Sequence, residues 1–178
     1  MAGRVRPRVG HGAGIRPHLA AALPGWVAAR LAVALSFVVA HLIVTWADPG
    51  PSARRHLDEG LLGWDAAWYR DIAAHGYAGL PRVGVRFFPL LPLVTRAVAF
   101  MTGHTGVALL VVTNVAALGL GALVHRLALV ERGDASLARR AATAVAVVPP
   151  AFVYVWGYSE ALAGCLSVAA FLALRTQR

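Results

Sequence analysis

Residues 26–47 read WVAARLAVALSFVVAHLIVTWA, an apolar run of 22 positions with no acid. At about 1.5 Å of rise per residue, a helix of that length crosses a hydrocarbon core about 30 Å thick. The run is too long for the core of a secretory signal, and Thr45-Trp46-Ala47 makes a poor cleavage site. It reads as a retained transmembrane helix. The composition agrees: 58% of the 178 residues are hydrophobic and only 14% charged, against about 25% charged in soluble domains.

Ahead of this run, residues 1–25 are basic and interrupted by Gly and Pro, with Arg4, Arg6, Arg8 and Arg16 and no acid. They are expected to form a disordered cytoplasmic tail. Behind it, residues 48–86 hold five of the eight acids: Asp48, Asp58, Glu59, Asp65 and Asp71. Phe87 to Met101 is apolar but carries Pro89, Pro92 and Arg96. Thr105 to His125 is a second clear span, followed by an arginine-rich turn with Arg126, Arg132, Arg139 and Arg140. Two further apolar segments, 141–156 and 158–174, complete the sequence; Pro149-Pro150 interrupts the first.

Positive charge orients such a chain with its basic segments in the cytoplasm. If 87–101 does not cross, the tail, the turn at 126–140 and the C-terminus all lie inside and the acid-rich segment outside. A crossing 87–101 would reverse the turn and place Arg96 near the bilayer centre at a cost of roughly 2.5–3.5 kcal/mol. An interfacial or re-entrant element is therefore expected there. The last two segments cross as a pair or form a re-entrant hairpin; crossing is favoured. The expected fold is all-α: a single polytopic domain over 26–178, with about four membrane spans (26–47, 105–125, 141–156 and 158–174) and a large first external loop, 48–104.

The pI near 11.4 does not point to nucleic acid, because the arginines are dispersed and flank apolar runs. All 17 basic residues are arginine, which fits the coding bias of a GC-rich genome and a bacterial plasma membrane. The lone Cys165 has no partner for a disulfide or a thiolate zinc site. No Gly-rich phosphate loop, paired metal-ligand spacing or nucleophile elbow occurs.

The external loop contains the chemistry. Residues 63–77, GWDAAWYRDIAAHGY, predict a short helix stopped by Gly76. Leu61, Trp64, Trp68 and Ile72 would form its apolar face, and the tryptophans favour the headgroup level, so the helix is expected along the outer membrane surface. Asp65 and Asp71 lie about 120° apart around such a helix and make no same-face pair. Asp71 and His75 are one turn apart and can touch, as a local ion pair or as site residues. Asp65 reads equally as an N-terminal cap and as a catalytic base.

The order Trp64-Asp65, Trp68-Tyr69, Asp71-Ile72-Ala73, His75-Gly76-Tyr77, then Arg86-Phe87-Phe88-Pro89-Leu90-Leu91-Pro92-Leu93, resembles the first external loop of PIG-V-type mannosyltransferases. These belong to the GT-C glycosyltransferase class. Pro149-Pro150 with Tyr158-Ser159-Glu160-Ala161-Leu162 resembles that family's later Tyr-Ser-Glu element. The resemblance runs from about Trp26 to the end of the chain and covers the N-terminal part of the longer family members, so a truncated or partial form is expected. It implies inverting transfer of a sugar, such as mannose, from a polyprenyl-phosphate donor to a glycan or lipid acceptor on the outer membrane face. Asp65 is carried over as the general base. Arg86, Trp64, Trp68, Tyr69, Asp71, His75 and Glu160 are the candidate substrate-binding residues, with Arg70 a further cation for the phosphate. A divalent metal is compatible with this chemistry, and no metal ligand is assigned.

A lipid phosphate is a good leaving group, so one carboxylate to deprotonate the acceptor hydroxyl suffices, unlike inverting hydrolysis. Structural roles stand beside these: Ser159 as an N-cap, Glu160 in a favourable helix dipole, Asn114 as an interhelical hydrogen bond, and His41 and His125 as interfacial residues. A non-catalytic membrane protein that keeps the loop for packing is the alternative function. A transporter would need ionisable groups at mid-membrane, and beyond Asn114 the spans offer little.

Overall fold

The apolar runs fold as helices, and among the described residues no strand occurs. The computed structural model describes residues 14–47 and 50–177. Seven α-helices carry the fold: α1 (Arg16–Ala47), α2 (Pro51–Glu59), α3 (Asp65–His75), α4 (Leu90–Thr102), α5 (Thr105–Arg132), α6 (Ala135–Val147) and α7 (Glu160–Thr176). Three 3-10 segments join them at Gly60–Leu62, Arg82–Arg86 and Pro149–Tyr154.

Helix α5 is the central post, packed against α1, α4, α6 and α7. Its 28 residues span about 42 Å. Helix α1 runs antiparallel to it: His18 meets His125, the Trp26 indole donates to the Asn114 carbonyl at 2.9 Å, and Arg30 reaches the Asn114 side chain. Small residues allow the close approach. A Cβ on Gly121 would lie 2.9 Å from that of Ala22, and one on Gly25 would lie 2.8 Å from the Thr143 backbone. Helix α7 returns along α5, with the Cys165 thiol donating to the Ala116 carbonyl at 2.9 Å. Its last turn pairs Arg175 with Glu131 at 2.6 Å.

The main core lies at the other end of α5. There Ala66, Tyr69 and Ile72 of α3, Phe87, Leu91 of α4, Leu109 and Val112 of α5, and Tyr158 form one buried cluster. The Gly157 amide donates to the Leu61 carbonyl at 3.2 Å, so the 155–159 segment belongs to this end. The α6–α7 hairpin therefore spans the height of α5 from Glu131 to the α3 level.

Helices α1 and α5 are long and apolar enough to cross a membrane. The same length and apolarity also fit a signal sequence for α1, near the N-terminus, or a core helix for α5, whose most apolar stretch is 44% buried against 6% for α1.

Several expectations need correction. Residues 16–25 are not tail but the first turns of α1, because Pro17 suits a helix start and His18, Ala22 and Gly25 are buried against neighbouring helices; residues 1–13 lie outside the described residues. The arginine-rich turn contracts to Gly133-Asp134, since α5 runs on to Arg132 and α6 begins at Ala135. Helix α6 starts before 141 and stops at Val147, where Pro149-Pro150 converts the chain to a 3-10 segment.

The 48–104 loop is itself mostly helical. Helix α4 has 13 residues, about 20 Å, and its Arg96 guanidinium donates to the carbonyls of Ala73 (2.7 Å) and Ile72 (3.5 Å) at the end of α3. A cation at a helix C-terminus is favourable, so Arg96 binds α4 to α3.

Candidate functional site

Helix α3 begins at Asp65 and ends before Gly76, whose positive φ of 82° is one that glycine adopts without steric cost. Asp65 is not the N-cap. That position belongs to Trp64, at φ 57° and ψ −125°, the only positive-φ non-glycine residue described. Such a conformation costs roughly 1–3 kcal/mol and persists only where surrounding structure enforces it. The enforcing contacts come from the far side of the sequence. Trp64 packs edge-on against Trp156 at 6.2 Å between ring centroids, and the Asp65 charge lies close enough to act on the Tyr158 hydroxyl.

A second cross-link lies one turn along α3. The Tyr69 hydroxyl donates to Ser159 Oγ at 2.9 Å. Ser159 occupies the N-cap position of α7 but makes no side-chain cap bond; it serves Tyr69 instead. Burial pushes the Tyr69 phenol above its ordinary value. The Ser159 hydrogen bond opposes that shift, and the Glu160 and Asp65 charges add to it. Tyr69 therefore stays a neutral donor through physiological pH. Asp65 and Glu160, 95 positions apart in the sequence, both lie within electrostatic reach of Tyr69 and Tyr158, and both are exposed.

The buried face of α3 is Ala66, Tyr69, Ile72 and Ala73, one step round from the expected Leu61-Trp64-Trp68-Ile72 stripe. The reversal at Trp64 starts the helix afresh, so Leu61 and Trp64 fall outside it. α3 packs on α4 and α5. Trp64 is 61% exposed. Trp68, half-buried, stacks on Phe87 at 5.8 Å. Asp71 pairs with Arg70 at 3.4 Å and not with His75. Arg86 is exposed, with its guanidinium 5.1 Å from the Phe87 ring centre.

Beside Trp64 opens an apolar groove of about 660 Å³. Phe37 and Ile43 of α1 form one wall, and Trp64, Phe152 and Trp156 the other. Val33, Ser36, Pro149 and Phe152 also line a cavity of about 220 Å³ leading toward Ala29 and Ala146. At the opposite end, Val44 and Leu57 are shared with a polar cavity of about 270 Å³ lined by His41, Thr45, Arg54 and Asp58. The surface is amphipathic along its length: polar at one end, apolar through the middle, with Asp65 next to the tryptophan that walls it.

Trp156 is the residue the sequence reading missed. It touches Phe37, Trp64, Phe152 and Tyr158 at 5.6–6.2 Å. The signal was the alternation Phe152, Tyr154, Trp156, Tyr158 after a double proline, a pattern unlike a membrane helix. Arg30 was also missed: it donates to Asn114 Oδ1 (2.9 Å), the Trp26 carbonyl (3.1 Å) and the Tyr154 carbonyl (3.0 Å). Asn114 makes the interhelical bonds expected of it, to Arg30 and to the Val155 carbonyl. Among the described residues no cluster of three or more His, Cys, Asp or Glu side chains forms a metal site. No protein-family model, curated protein or solved structure matches this chain.

Proposed function

We propose that this chain is a membrane-embedded glycosyltransferase, or the part of one that carries the base, which moves a sugar from a polyprenyl-phosphate donor to an acceptor hydroxyl with Asp65 as general base. The observation that carries the reading is the meeting of Trp64-Asp65 with Trp156-Tyr158-Ser159-Glu160 at the edge of an apolar groove. The two segments that resemble the PIG-V-type motifs are remote in sequence and adjacent in space. A prenyl chain suits an apolar groove. An exposed carboxylate beside it suits a hydroxyl arriving from water, and a positioned base contributes about 10²–10⁴-fold.

In this reading α1, α5 and the α6–α7 hairpin cross the bilayer, α4 stays on the outer side, and the basic end of the bundle faces the cytoplasm. Arg54, which lines the polar end of the groove beside His41, replaces Arg86 as the cation assigned to a bound phosphate. Trp64, Trp156 and Glu160 face the sugar and its acceptor. Tyr69 and Ser159 hold α3 against α7, and Asp71 and His75 have no direct part.

The reading is tested with the full chain in proteoliposomes and a prenyl-phosphate mannose bearing a photoreactive group on its chain. Crosslinks on peptides containing Phe37, Ile43 or Trp156, and a glycosylated product, are the expected result. Labelling spread evenly over the lipid-exposed faces would remove the groove from the proposal. The tie of Tyr69 to Ser159 also favours a second reading, in which the loop serves packing only. That reading predicts no product with the chain intact and folded.

A further inference from the structure

The end of the bundle remote from Asp65 contains a buried pair of histidines. His18, in the first turn of α1, and His125 of α5 are each 7% exposed. Their Nδ1 atoms are 2.9 Å apart and their ring centroids 5.1 Å apart. Two imidazole nitrogens at that separation hold one proton between them: one ring donates from Nδ1–H and the other presents a bare Nδ1. A proton added to the accepting nitrogen sets two N–H groups face to face.

Among the described residues, no carboxylate acts on either ring. On α1, Arg16 lies two residues away; Arg126 of α5 and Arg139 of α6 act on the pair electrostatically. The nearest carboxylates in the sequence are committed elsewhere. Glu131 pairs with Arg175 at 2.6 Å, and Asp134 accepts the Ser136 and Leu137 amides at 2.7 and 3.1 Å. Among the described residues, the pair is also the only side-chain hydrogen bond from residues 14–25 to another helix. Past it, α1 is held by the close packing of Ala22 on Gly121 and Gly25 on Thr143.

We propose that His18 and His125 form a proton-operated latch, which fastens the start of α1 to α5 while the pair shares one Nδ1 proton and releases it when both rings carry one. The sign follows from proton counting. The closed latch excludes a proton that the released form takes up, so closure is fully favoured above the ordinary imidazole value near 6.5 and weakens as the pH falls below it. Between pH 7.5 and 5.5, one excluded proton raises the released population about tenfold. The latch does not depend on the glycosyltransferase reading. If that reading holds, the latch faces the cytoplasm, on the same helix that forms one wall of the groove.

The test is hydrogen–deuterium exchange of the full chain in detergent micelles at both pH values. Exchange of residues 17–24 is divided by that of residues 109–120 in the same sample, which removes the intrinsic pH dependence. The ratio is expected to rise about tenfold at pH 5.5. His18→Asn places an amide near the Nδ1 position that can present either oxygen or N–H, so its ratio should change by less than about twofold; His125→Asn serves if the first variant does not fold. Nitrogen NMR of the wild-type rings at pH 7.5 should show one Nδ1–H and one Nε2–H tautomer. A flat wild-type ratio, an equal rise in a folded Asn variant, or two rings with bare Nδ1 atoms would each overturn the latch.

Discussion

Replacing Gly157 by alanine probes the join between the two halves of the candidate site. Gly157 is buried between α3 and α5. A Cβ there would fall 2.8 Å from Leu109 Cδ2, 3.0 Å from Leu109 Cγ and 3.0 Å from Ala66 Cβ. Its φ is not in the left-handed region, so alanine adds no backbone strain and the effect is steric. Leu109 and Ala66 are both 0% exposed and have no free space to move into. Overpacking of this kind costs about 1–3 kcal/mol. Thermal unfolding in micelles would register the loss, and near-ultraviolet circular dichroism would report disturbance of Trp64 and Trp156.

The double variant supplies the control. Leu109→Ala alone removes a fully buried side chain and should cost about 2–5 kcal/mol. In the Gly157→Ala background it should cost less, because the vacated volume admits the new methyl group, giving coupling of about 0.5–3 kcal/mol. A Gly157→Ala protein of unchanged stability, or strict additivity in the cycle, would refute the docking of the 155–159 segment on α3 and α5.

Three further outcomes are expected. Thr95 is 0% exposed and its hydroxyl has no hydrogen-bond partner, so Thr95→Val should leave stability equal or raise it by about 1–3 kcal/mol, read by the same melt. Arg30→Met leaves the Tyr154 carbonyl and Asn114 Oδ1 without their donor; a loss of about 0.5–1.5 kcal/mol per part-buried bond is expected, and an unchanged melting temperature would count against the network. The Leu137 and Ser136 amides hold the Asp134 carboxyl below the usual carboxylate range. Its contribution to α6 is therefore present above the ordinary carboxylate value near 4 and lost as the pH falls through its lower folded value. Asp134→Asn, which keeps an acceptor oxygen, should flatten the acid limb of a stability–pH curve below the ordinary carboxylate value near 4.

Much of the helical framework was legible because it depends on local pattern. The apolar runs at 26–47 and 105–125 set α1 and the greater part of α5, and Gly76 ended α3 where expected. Boundaries that depend on tertiary contact were not legible. Nothing near His18 in the sequence shows that it meets His125, 107 positions away, so the start of α1 read as tail. The candidate site was legible only in part. Asp65, Trp64, Tyr69 and Glu160 come together, but capping rules assigned Asp65 and Ser159 jobs that the reversal at Trp64 and the bond from Tyr69 alter. Helical spacing allowed Asp71 to meet His75, while the adjacent Arg70 takes the contact. Arg96 looked like an energetic cost because its acceptors, the last carbonyls of α3, are invisible to a hydropathy argument.

The central claim rests on Asp65 as the base beside a lipid groove. Its most direct measurement is the single-turnover rate of sugar transfer from prenyl-phosphate mannose by the wild-type chain and by Asp65→Asn, both shown to be folded by the same melt. The account predicts measurable transfer by the wild type and a fall of about 10²–10⁴-fold in the variant. Equal rates in the two proteins, or no transfer by either, would contradict it.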